Sequence, residues 1–175
     1  MIVLGIDPGI GITGIALVKV EKGNLQFISS YLITTVPRQE VAQRLKVIYE
    51  ELSEIIKKEK PDVCALETLF FRTNVTTAFS VGQARGVIQL ACTLNNIPIT
   101  EYNPTEVKLT LTGYGRAEKG QIQRMVSQIL KLKKTLTPDD VADAAALAIT
   151  HCFSYKLKAI SNVSAKGGST SGRKA

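Results

Sequence analysis

No run of apolar residues in this 175-residue chain approaches the length of a membrane span. Met1 leads straight into an apolar segment without a basic stretch before it, so a secretory signal is not expected either. Cysteine is scarce. Cys64, Cys92 and Cys152 are an odd number and lack the spacing of a metal site or a disulfide framework. Buried free thiols in a reducing compartment fit that usage, and the cytoplasm is the expected location. Acidic residues are missing altogether after Asp143, where Lys156, Lys158, Lys166, Arg173 and Lys174 follow. Those five cations carry most of the net charge of +7 and leave about +2 for the rest. A nucleic-acid surface on such a chain is therefore a local patch and not a global field.

What is present describes one domain (residues 1–158) with a basic, low-complexity tail (159–175) expected to be disordered. Residues 2–7, 13–20 and 25–35 are apolar, β-branched segments separated by glycine-containing turns, the pattern of an antiparallel meander. Apolar residues then recur at helical spacing through 39–59 until Pro61 ends the run. A fourth strand is expected at 62–67, a helix at 75–95, a short strand at 97–102, and helices at 105–111, 118–131 and 138–157. The order predicts an α/β fold: a five-stranded mixed sheet, three antiparallel strands and then two added by parallel crossovers, with helices on both faces.

Four acids stand out. Asp7 ends the apolar run Ile2–Ile6, and Glu67 ends Val63–Leu66, a strand apolar enough to be buried on both faces. Asp140 and Asp143 lie three apart near a helix start, hence on one face. A carboxylate at the end of a buried strand is costly without a partner. Clusters of oxygen ligands suit hard divalent cations such as Mg²⁺, and two such ions can cleave phosphodiesters. Each acid also has a plainer reading. Asp7-Pro8-Gly9 is good turn chemistry, and glycines 9, 11 and 14 leave room for a phosphate near the backbone. Glu67 could pair with Arg72 or Arg85. Thr137-Pro138-Asp139-Asp140 is a sound helix start in its own right, and Asp139 could replace Asp140 as the partner of Asp143 at four-residue spacing. Asp143, a turn deeper in a helix of small residues built for close packing, is the acid that capping does not explain.

With these residues in place, the chain resembles the RuvC family of Holliday junction resolvases, of the ribonuclease H-like fold. The resemblance covers about residues 1–153. It rests on Gly5-Ile6-Asp7-Pro8-Gly9 with Thr13-Gly14, Glu67-Thr68-Leu69-Phe70, Gly82-Gln83-Ala84-Arg85-Gly86, Ala117-Glu118-Lys119 and the run from Asp140 to Cys152. It implies a homodimer that cleaves four-way DNA junctions with the help of metal ions: two Mg²⁺ per site, replaceable by Mn²⁺. Asp7, Glu67, Asp140 and Asp143 fall on the family's four catalytic, metal-binding positions; some members carry His at one of the last two. Phe70 falls on an aromatic position that stacks near the crossover, although either ring of Phe70-Phe71 could be core. Lys108 and Lys119 match cations that contact phosphates, and Arg72, Arg85 and Arg116 extend that surface, unless Arg85 instead anchors a helix. His151, two helical turns past Asp143, reads as structural. The small residues Ala78, Gly82, Ala84 and Gly86 suit either a dimer contact or packing within one subunit. Family members also act with a branch-migration helicase complex.

Three rivals remain at this level. Asp7-Pro8-Gly9 with Thr13-Gly14 also resembles the phosphate loop of actin-like and sugar-kinase-like ATPases, which share the sheet topology but need two domains. A junction-binding protein without catalysis has no use for four intact acids. Another nuclease of the ribonuclease H-like fold fits the acids, but less well the stretch from Glu67 to Phe70.

Overall fold

The computed structural model describes residues 1–68 and 75–167, with side chains for 1–68 and 78–155. Strands β1 (Ile2–Asp7), β2 (Ile12–Glu21) and β3 (Asn24–Thr34) form the meander. Helix α1 (Val41–Glu59) leads to β4 (Val63–Glu67), and α2 (Val75–Leu94) leads to β5 (Ile99–Tyr102). Helices α3 (Pro104–Thr112), α4 (Lys119–Ile129) and α5 (Asp139–Gly167) complete the chain. The sheet order is β3-β2-β1-β4-β5. The pairs β1–β2 and β2–β3 are antiparallel, while β1–β4 and β4–β5 are parallel. The mixed five-stranded sheet read from the sequence is the one observed.

Local signals account for most element ends. Lys60 and Gly113 close α1 and α3 in the left-handed conformation, their N–H groups returning to Ile56 and Leu109. Asn103 caps α3 by accepting from the Glu106 N–H at 2.8 Å. A reciprocal Glu118–Gln121 capping box opens α4. Helix α5 differs from expectation at both ends. It begins at Asp139, with Pro138 just outside. It also runs to Gly167, well past the expected end near 157 and into the segment assigned to a disordered tail. The physical reason is plain: residues 158–166 contain neither proline nor glycine, and the first glycine beyond them is Gly167.

Strand alternation divides the core into two layers. Val3, Ala16, Val18, Val63 and Ala65 face α3, α4 and α5, against Val107, Leu111, Ile122, Val126 and the alanines of α5. Leu4, Ile6, Ile15, Leu17, Cys64 and Leu66 face α1 and α2, against Ile48, Leu52, Ile88 and Cys92. All three cysteines are free and buried, as expected. His151 is buried as well, its Nδ1 2.9 Å from the Tyr102 hydroxyl in an edge-on ring contact, which fits the structural role read from its position.

Helix α5 lies on β1 and β2 with almost no gap. A Cβ at Gly5 would stand 1.9 Å from the Ala144 carbonyl oxygen, and one at Gly14 would stand 2.1 Å from the Asp140 carbonyl oxygen. Only glycine permits that approach. Gly5→Ala is therefore expected to lower unfolding stability by more than about 2 kcal/mol in chemical denaturation, because the clash is with backbone. Gly120→Ala, in an open part of α4 where the nearest atom is an arginine side chain at 3.6 Å, should be neutral or stabilising by up to about 1 kcal/mol. Equal effects of the two substitutions would contradict this account of how the helix sits.

Candidate active site

Two strand ends and one helix start build the site. In the parallel pair β1–β4, Ile6 stands beside Leu66, so Asp7 and Glu67, one step further on, finish side by side at the same rim. Asp7 shares the face of Val3 and Gly5, and Glu67 that of Val63 and Ala65, so both carboxylates project toward α5. Across the other edge of β1, Asp7 pairs with Gly14, and the backbone of Asp140 rests on Gly14. The glycine contact thus brings the first turn of α5 over the strand that ends in Asp7. Asp143 follows on the same face, and a cleft of about 230 Å³ opens between these elements. Asp7, Glu67, Asp143, Lys108 and Lys119 line it, over apolar walls that include Val107, Ile122 and Leu147.

The acids share one electrostatic field. Burial, reinforced by Glu67, Asp143 and Asp140, pushes the Asp7 carboxyl up to about 7, with Lys119 pulling the other way. Burial and Asp143 raise Glu67. Burial also raises Asp143, against the lowering effect of Lys119. Asp7, Glu67 and Asp143 therefore line one cleft, and Asp140 acts on Asp7 and Asp143 through its charge without lining it. They do not yet share a coordination sphere: among the described residues, no three acidic, histidine or cysteine side chains stand close enough to hold a metal ion as they are. The donor chemistry still fits one. Carboxylates without nitrogen or sulfur ligands suit a hard divalent cation, and the Asp7 carboxyl is raised first by burial and then by the neighbouring acids.

The basic candidates separate. Lys119, the first residue of α4, places its ammonium 3.2 Å from Asp143 Oδ2 and 3.3 Å from Asp139 Oδ2. Burial lowers its pKa, but Asp143 and Asp139 outweigh that and raise it. Lys108 lines the cleft from α3. Arg116 is exposed on the segment before α4. Arg85 follows the second of its two readings, the anchoring of a helix. Its Nε donates to the Glu67 carbonyl at 3.1 Å, its guanidinium lies 2.5 Å from Glu101, and its side chain is only 15% exposed. It anchors α2 to the ends of β4 and β5. It holds the backbone of Glu67 and leaves the carboxylate to the cleft, so of the two pairings that would have explained Glu67 away, the one with Arg85 is not made. Phe70 and Arg72 lie outside the described residues.

Of the three glycines of the first turn, two are closed to a phosphate, while Gly11 stays open, with only the Arg44 side chain at 3.7 Å. The backbone above Gly14 is covered by Asp140, and a Cβ at Gly9 would meet the Ile12 carbonyl at 2.2 Å. Sequence reasoning missed two features: the glycine seat under α5 and the part of Asp139 in holding Lys119. A lone glycine inside an otherwise apolar strand facing an alanine-rich helix was the available signal for the first. For the second there was none, because residues 119 and 139 meet only through the packing of α4 on α5.

The raised carboxyls have a consequence for stability. Asp7 binds its proton more tightly folded than unfolded, so the folded state holds more protons between the ordinary aspartate range and pH about 7. Stability without metal should therefore fall as pH rises from about 4 to about 7 and level off above. Denaturant titrations in chelator should find Asp7→Asn more stable than wild type at pH 8, with the difference closing toward pH 4. A wild-type curve that rises over this window would contradict the electrostatics.

Comparison with known proteins agrees with this geometry. A family model described as crossover junction endodeoxyribonuclease RuvC matches residues 3–151. The RuvC of Clostridioides difficile is 45% identical over 167 residues, covering 95% of this chain and 99% of that protein. That of Pseudothermotoga lettingae is 47% identical over 152 residues, covering 87% and 94%. The structure of Thermus thermophilus RuvC in complex with Holliday junction substrate matches with a TM-score of 0.86 at 33% identity, over 90% of this chain and 96% of that one. With its acids gathered at the strand ends under α5, and matched along nearly its whole folded length, the chain belongs to the RuvC family of crossover junction endodeoxyribonucleases.

Proposed function

We propose that the protein resolves four-way DNA junctions in homologous recombination and repair by metal-dependent phosphodiester hydrolysis in this cleft. Asp7, Glu67, Asp140 and Asp143 would hold two Mg²⁺ ions, or Mn²⁺ in their place. The observation that carries the reading is that Asp7, Glu67 and Asp143, from β1, β4 and α5, line one cleft together with Lys108 and Lys119. A pair of bound cations supplies the Lewis acidity that activates a water and stabilises the departing 3′ oxygen, leaving 5′-phosphate and 3′-hydroxyl ends.

The protein's own groups do the rest. Asp7, between Glu67 and Asp143 in the cleft lining, would help hold the cations, and their charge would favour its ionised form. Lys108 and Lys119 flank the cleft where a phosphate must pass, and their ammonium groups offset its developing charge. Arg116 extends the basic rim. Phe70 and Arg72, three and five residues beyond Glu67, belong to the same proposal as base-stacking and phosphate contacts. Recognition is chiefly of branched shape and phosphates, and so weakens with salt. The location follows from the substrate: the compartment that holds the DNA, here the cytoplasm. No helix among the described residues is long and apolar enough to cross a membrane. Association with a branch-migration helicase complex is part of the same reading.

A homodimer completes it. Phe79, Leu90 and Leu94 are 68%, 52% and 59% exposed along one stripe of α2, and a Cβ at Gly86 in the same stripe would meet nothing within 4 Å. Such a surface suits a two-fold partner, which would present two clefts to a two-fold junction.

Two experiments test the proposal. With Mg²⁺ and a synthetic mobile junction, wild type should give paired symmetric nicks and leave linear duplex intact. Asp7→Asn should cut at least about a thousandfold more slowly yet bind the junction with comparable affinity in a gel-shift assay; cleavage at the wild-type rate would remove Asp7 from the chemistry. Leu90→Lys should shift sedimentation from dimer to monomer without loss of fold, and uncouple the two nicks. A stable Leu90→Lys dimer would place the interface elsewhere.

A further inference from the structure

Lys119 sits where local helix physics disfavours it. It is the first residue of α4, whose free N–H groups form the positive end of the helix dipole. The Glu118–Gln121 capping box fixes that turn and so aims the lysine at α5. Its ammonium is shared by two carboxylates four residues apart, Asp143 at 3.2 Å and Asp139 at 3.3 Å. The two anchors are not equivalent. Asp143 lines the cleft, whereas Asp139 lies outside it and is fixed by Gln123, whose Nε2 donates to its other oxygen at 2.7 Å. One oxygen of Asp143, Oδ2, is thus already engaged by a cation of the protein's own, in a cluster whose acids fall short of metal-holding distance among the described residues.

We propose that Lys119 is a built-in counter-cation of the acidic cleft, and that a divalent cation enters by displacing its ammonium from Asp143, with Asp139 retaining it. The inference rests on the metal-dependent reading above. In the metal-free protein the ammonium offsets repulsion among the acids and holds α4 against α5. With a cation in the cleft, Asp143 turns to it, and Lys119 remains on Asp139 at the rim, where its charge is free to meet a phosphate. One side chain therefore serves as a placeholder before the metal arrives and as an anion contact afterwards.

The test is Mn²⁺ binding to the full-length protein without DNA, followed through the paramagnetic resonance of free Mn²⁺. Lys119→Met removes the competing charge and keeps much of the length; it should bind Mn²⁺ roughly three- to tenfold more tightly than wild type. Lys119→Arg keeps the charge and should stay near wild type. In chelator, Lys119→Met should melt below wild type, and saturating Mn²⁺ should close that gap. Unchanged or weaker Mn²⁺ affinity in Lys119→Met, or equal gains in the Met and Arg variants, would overturn the displacement. Loss of binding in Asp7→Asn would in that case leave the metal-dependent reading standing. Absence of Mn²⁺ binding in both wild type and Lys119→Met would overturn both.

Discussion

The contact between the α5 backbone and the two glycines beneath it is the constraint from which the site follows. With Ala144 over Gly5 and Asp140 over Gly14, the helix axis is brought closer to the sheet than side chains of ordinary size permit. Closeness of backbones shortens the reach needed from the acids. Aspartates have one methylene to spend, and Asp7, Asp140 and Asp143 are all aspartates. Glu67, at the end of the neighbouring strand, has the longer side chain. The alanines at 142, 144, 145, 146 and 148 continue the same logic along the helix, each buried and none large enough to lift it. Packing holds the acids together, and electrostatics alone would drive them apart.

That opposition gives the cleft its character. Burial and mutual repulsion raise Asp7, Glu67 and Asp143 together, and Asp7, pushed up to about 7, carries less than a full negative charge near neutral pH. Folding tolerates it because the cost falls on a few side chains, while two apolar layers packed on either face of the sheet stabilise the surrounding elements. A site that is destabilised alone and relieved by a cation has its affinity built in, since binding recovers what folding gave up. Lys119 moderates the same imbalance from the protein's own side.

Much of this was legible in the sequence because it depends on period and order. Strand alternation fixes Asp7 and Glu67 to one face once the strands are recognised, and three-residue spacing fixes Asp140 and Asp143 to one side of a helix. The order of strands and crossovers gave the sheet. Distance was not legible. That Gly14 supports a helix and does not open onto a phosphate depends on where α5 lands, and no local pattern states it. Arg85 shows the same limit. Between two glycines in a helix it could face DNA or anchor the helix, and only the meeting with Glu101 and the Glu67 carbonyl, on two strands, decides for the anchor. The end of α5 was misplaced for a different reason: a basic, polar composition suggested disorder, whereas the absence of helix-breaking residues up to Gly167 allowed the helix to continue.

Arg85 also ties the chemistry to the outer face of the molecule. The helix that carries it, α2, presents Phe79, Leu90 and Leu94 outward, while Ala84, Ile88, Ala91 and Cys92 pack inward against the sheet. Through Arg85, the same helix grips the backbone of Glu67 at the cleft and Glu101 on β5. A partner seated on the outward stripe therefore rests on an element whose other side is fastened to a metal-binding candidate. Helices packed on a close-packed core move as rigid bodies more readily than they bend. The spacing and orientation of two clefts across such an interface would be set by α2 itself and not by flexible loops. If two such clefts act on one junction, as proposed, rigidity at that position matters more than affinity between the subunits.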